Sequence, residues 1–93
     1  MPKIGKMKKV LKEIDVIEQI IKPYEPYSTD VSHVLGVFDA IKEALLDPEK
    51  AELDTILERL NGVERLAELY SEYELANEVR RHLAEIRRII VER

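Results

Sequence analysis

Apolar residues in this chain recur at alternating spacings of three and four. Met7, Val10, Ile14, Ile17 and Ile21 are spaced 3-4-3-4, which places them on one face of a helix. Ile4, Leu11 and Ile20 widen that face into a stripe suited to a globular core. The pattern predicts a first helix from about Lys3 to Lys22, ended by Pro23, which lacks an N–H and restricts the residue before it. Pro23-Tyr24-Glu25-Pro26-Tyr27 reads as a stiff, partly extended connection. Ser28, Thr29 or Asp30 then caps a second helix, whose face of Val31, Val34, Phe38, Ile41 and Leu45 repeats the 3-4-3-4 spacing and stops near Leu46. Asp47-Pro48-Glu49 offers a cap, a proline at the first helical position and an acid at the positive end of the dipole. It predicts a third helix, with Leu53, Ile56, Leu57 and Leu60 on its face and Asn61-Gly62 as its end.

Val63 to Arg93 is ambiguous. Leu66, Leu69, Tyr73 and Ala76 form one stripe, and Val79, Leu83, Ile86 and Ile90 continue it after a slip in phase. The segment reads either as one long helix or as two, divided at Ser71-Glu72-Tyr73-Glu74, which has the form of a capping box. No stretch alternates as a strand would. The expected fold is all-α, a small antiparallel bundle of four to five helices in a single domain over residues 1–93. A domain this small buries about 60–65 % of the surface exposed by its unfolded chain, so self-association is a plausible further source of stability.

Charge adds a second pattern. Residues 1–12 hold five lysines and no acid, residues 80–93 hold five arginines against two acids, and the segment between them holds 17 acids against five bases. The formal net charge is −4. The absence of cysteine excludes disulfides and thiolate chemistry and suits a reducing cytoplasm. No apolar run approaches the ~20 residues of a membrane span, so no membrane partner is expected. Charged residues make up 37 % of the chain, with one Gln and two Asn, a pattern of thermophilic proteins.

Candidate chemistry is sparse. His82 follows Glu78 by four residues and so shares its helix face, but a zinc site needs more ligands. Glu49 and Glu52 make a Glu-x-x-Glu pair, as in helical nucleotide pyrophosphohydrolases of the MazG type; the Glu-x-x-Asp that completes that set occurs nowhere here. Glu64, Glu68 and Glu72 form a row at i, i+4. The three glycines are far apart and make no phosphate loop. The expectation is no enzyme, no cofactor and no metal. Around the turn, Tyr73, Glu74, Ala76 and Arg80 resemble the UVR motif of nucleotide-excision-repair proteins, and the segment is similar to the inter-helix turn of a tetratricopeptide unit. Asn77 and Arg81 depart from the first pattern. Both likenesses imply a helical hairpin used for protein contact.

Two surfaces remain as candidates for binding. Ile89, Ile90 and Val91 are consecutive, so one of them must leave any single core. With Leu83, Ile86, Tyr70 and Tyr73 they form the expected interface for a protein partner or for self-association. Tyr24 and Tyr27 are expected to fold back over the core. Lys3, Lys6, Lys8, Lys9, Arg87 and Arg88 form a possible anion or nucleic-acid patch, merged at one end if the helices number four. The lysines oppose the dipole of the first helix, whereas the arginines complement that of the last. The expected function is a non-catalytic interaction or assembly module. Nucleic-acid binding through the basic ends is the alternative. A metal-dependent hydrolase using Glu49, Glu52, Glu68 or His82 comes third.

Overall fold

The 3-4 spacing is realised as helix in the first three predicted segments, whereas the stripe of Leu66, Leu69, Tyr73 and Ala76 is broken by a turn. A computed structural model describes residues 2–47 and 52–91. Helix α1 spans Pro2–Ile21, α2 Thr29–Leu45, α3 Leu53–Glu68 and α4 Glu74–Val91, and no strand occurs among the described residues. The predicted faces turn inward. Met7, Val10, Ile14 and Ile17 from α1 meet Val34, Phe38, Ile41 and Leu45 from α2 in one core, together with Ile56, Leu60 and Val63 from α3. Helix α4 contributes Val79, Leu83, Ile86, Ile89 and Ile90. Full burial of a side chain such as Phe38 is worth about 1.5–3 kcal/mol. The radius of gyration is 12.8 Å, close to the roughly 12 Å expected of a folded globule of this length.

Between α1 and α2 the chain is a 3-10 helix, Lys22–Tyr27, and not the extended connection expected. Proline fixes φ near −65°, a value that 3-10 and extended conformations share. Composition therefore does not separate the two. The following helix is capped by Ser28, whose Oγ accepts from the Val31 N–H at 3.2 Å.

Asn61-Gly62 does not end a helix. Helix α3 runs through both residues, and no glycine in the described chain has positive φ. The magnitudes explain this. Glycine inside a helix costs about 1 kcal/mol, whereas burying Val63 on the continuing stripe is worth about 1.5–3 kcal/mol. The expected start at Asp47-Pro48-Glu49 falls mostly outside the described residues, and α3 as described begins at Leu53.

The chain does divide near Ser71. Backbone bonds close the turn, from Ser71 N–H to the Glu68 carbonyl at 3.2 Å and from Tyr73 N–H to the Tyr70 carbonyl at 2.9 Å. The Asn77 side-chain amide donates to the Ser71 carbonyl at 3.0 Å. Continuity at Gly62 and a break at Ser71 together give four helices. Among the aliphatics of α4 expected at an interface, Leu83, Ile86, Ile89 and Ile90 are instead buried in the chain's own core. Val91 alone leaves it, at 56 % exposed.

Candidate functional site

Large exposed hydrophobics concentrate in the two turns that flank one end of the molecule. Of the eight such residues described, Tyr24 and Tyr27 belong to the 3-10 segment, and Leu69, Tyr70, Tyr73 and Leu75 to the α3–α4 turn and the start of α4. These segments border a cleft of about 310 Å³. Its buried wall is Val34, Val63 and Val79. Ile20, Ile21, Val31, Leu66, Ala67 and Ala76 extend that wall, and the exposed Tyr24, Tyr70, Tyr73 and Leu75 form its rim. Ala67 and Ala76 are shorter than the valine, leucine and isoleucine side chains that line the rest of the wall.

Among the described residues, the polar side chains lining the cleft besides the tyrosines of its rim are Ser28 and Asp30, and both have partners within the chain. Ser28 caps α2. The Asp30 carboxylate accepts a hydrogen bond from the Tyr70 hydroxyl, which joins the α3–α4 turn to the first turn of α2. That bond holds the Tyr70 phenol above its ordinary pKa, because it favours the protonated oxygen; loss of hydration and the Asp30 charge act in the same direction. The Tyr70 and Tyr73 rings are tilted at 44° with centroids 6.2 Å apart, a geometry worth about 0.5–1.5 kcal/mol beyond burial. The rim is thus positioned, and the interior offers a ligand almost nothing but hydrocarbon.

The other expected residues are placed as follows. Tyr70 and Tyr73 come together, but at the cleft and not beside the C-terminal aliphatics. Tyr24 lines the cleft, whereas Tyr27 stands out at 86 % exposed and does not fold over the core. Arg87 is held by α3: its Nε donates to Glu64 Oε2 at 3.2 Å, and a terminal nitrogen donates to Glu64 Oε1 and to the Asn61 side chain. Arg88 makes a two-pronged contact with Glu85, its Nε to Oε2 at 3.0 Å. That contact, aided by the charges of His82 and Lys9, holds the Glu85 carboxyl below its usual range. Lys8 and Lys9 are exposed and Lys6 is half-buried; the side chain of Lys3 lies outside the described residues. The basic ends do approach one another, since Lys6, Met7 and Ile90 border one small depression.

His82 faces Glu13 of α1, with Nδ1 3.3 Å from Oε2, and is not directed at Glu78. Glu49 lies outside the described residues, and Glu52 accepts from the Thr55 hydroxyl at 3.2 Å. Among the described residues, no group of three or more His, Asp or Glu side chains is placed to hold a metal ion. No helix described is long and apolar enough to cross a membrane.

The cleft itself was missed at the level of sequence, although one observation pointed to it. All four tyrosines of the chain fall in or beside two turns, and pairing those turns at one end gathers them. No protein-family model, no curated protein and no solved structure matches this chain.

Proposed function

We propose that this protein is a non-catalytic interaction module. It is an antiparallel four-helix bundle that receives apolar side chains of a partner protein in the cleft between its two tyrosine-bearing turns. The observation that carries the reading is the concentration of exposed Tyr24, Tyr70, Tyr73 and Leu75 around an apolar cleft. Exposed apolar surface gathered in one place is costly in water and marks contact sites, and tyrosine is enriched among residues that dominate binding energy.

Side-chain pairs tie the helices together, and the placement of their ends supports the antiparallel arrangement. Glu13 meets His82, Glu18 meets Lys42, Glu64 meets Arg87 and Asp30 meets Tyr70. Met7 and Ile90 share a depression at one end, whereas Ile20 and Ala76 share the cleft at the other. The basic ends give weaker support to nucleic-acid binding, because Arg87 and Arg88 are engaged by Glu64 and Glu85 and the body of the chain would repel phosphate.

Site-specific photocrosslinking in the native cell tests the docking reading. A photoreactive residue at Tyr73 or Leu75 is expected to yield a discrete crosslinked protein, and one at the exposed Asp39 is not. The same adduct from Asp39, or none from either cleft position, would overturn it.

A further inference from the structure

The charge around the cleft is as one-sided as its interior is apolar. The two stretches that build the rim, residues 22–30 and 67–78, hold Glu25, Asp30, Glu68, Glu72, Glu74 and Glu78 against Lys22, with Arg80 reaching back to the Asn77 side chain at 3.3 Å as a second cation. Glu25, Glu72 and Glu74 are exposed and are neighbours in sequence of the rim residues Tyr24, Tyr73 and Leu75. We infer that the cleft takes an amphipathic helix of a partner protein, with a narrow apolar face flanked by lysine and arginine. This inference rests on the docking reading above.

Two observations favour that occupant. An acidic rim around a hydrocarbon interior complements a segment whose apolar anchors are bordered by cations, which gives both register and a faster encounter. The fold described has no sheet edge to which an extended peptide could add, and the aliphatic wall of Val34, Val63, Leu66 and Val79 suits the anchors of a helix at i, i+3, i+4 and i+7.

A second copy fits less well. Two cleft ends brought face to face would oppose like charges. The chain's own lysine-rich helix has already committed its apolar side chains, Met7, Val10, Ile14 and Ile17, to its core. An anionic membrane surface would be repelled by the rim. A small polar ligand would find Ser28 and Asp30 already bonded within the chain.

The test is selection of 15-residue peptides from a random displayed library against the folded protein. Counter-selection uses the double variant Tyr73→Glu/Leu75→Glu, which alters exposed positions only and whose fold is checked by circular dichroism. The enriched peptides are expected to carry apolar residues at helical spacing with flanking Lys or Arg. Affinity for such a peptide is expected to fall at least tenfold in Glu25→Lys/Glu72→Lys/Glu74→Lys, and to fall as salt rises. Enriched peptides that depend on the cleft but carry no positive charge, or an affinity unchanged by the three reversals, would overturn this inference and leave the docking reading standing. Absence of any cleft-dependent peptide would overturn it as well, and the crosslinking result would then decide the docking reading by itself.

Discussion

At Ile90 and Val91, adjacent residues of similar chemistry have opposite fates. Ile90 is 6 % exposed and borders Met7, Val10, Leu45 and Leu53, whereas Val91 faces outward. A carboxylate at position 90 would be buried among these apolar side chains, at a cost of several kcal/mol that half-buried Lys6 at the edge of the same depression offsets only in part. We therefore expect Ile90→Glu to lower unfolding free energy by at least ~3 kcal/mol in urea titrations, a large part of the stability of a small domain. Val91→Glu should stay within about 0.5 kcal/mol of wild type. Equal effects of the two would contradict the placement of α4.

Tyr70 makes a second prediction at this scale. Its folded pKa is raised above the ordinary value of 10.0, first by donation to Asp30. A group raised on folding contributes stability in full below its unfolded value and loses it as pH rises through the folded one. The bond between the α3–α4 turn and α2 should thus persist through neutral pH and fail only in alkali. The difference in phenolate absorbance between wild type and Tyr70→Phe should show a step above pH 10.0. A step at or below that value would mean the Asp30 bond does not form.

At the scale of elements, α3 is the instructive case. Gly62 lies inside the helix with negative φ, and a Cβ built on it meets nothing within 4 Å. Gly36 in α2 has the same freedom. Replacement of either by alanine removes backbone entropy from the unfolded chain and adds no clash. We expect each to raise stability by about 0.5–1 kcal/mol, or about 4–8 °C in Tm per kcal/mol. A left-handed cap at Gly62 would reverse the sign, so thermal denaturation of Gly62→Ala discriminates between the continuous helix and the interrupted one.

For the whole molecule, the distribution of surfaces decides the behaviour. The aliphatic residues of α4 expected to cover a second chain lie in the chain's own core, and six of the eight large exposed hydrophobics described lie in or beside the two turns of the acidic end, Leu46 and Val91 lying elsewhere. The protein should therefore run as one chain in light scattering at micromolar concentration, with Tyr73→Glu/Leu75→Glu matching wild type in mass. A dimer that the double variant dissociates would place a second copy in the cleft, in place of a partner helix.

The sequence by itself determined the helices and their inward faces, because periodic burial is a local property: Met7 to Ile17 and Val34 to Leu45 occupy the faces their spacing predicts. It offered the turn at Ser71 as one of two readings, where a capping sequence and a phase slip coincide, and the structure takes that reading with α4 beginning at Glu74. It could not decide Gly62, where a local stop competes with burial supplied by other helices. It could not assign Ile90 to core or interface, since both call for the same side chain and differ only in what lies opposite. Tertiary structure alone decided the cleft. Tyr24 and Tyr73 are 49 positions apart in the chain, and no local rule joins them. Packing brought their turns to one end, with the short side chains of Ala67 and Ala76 lining the depression between them.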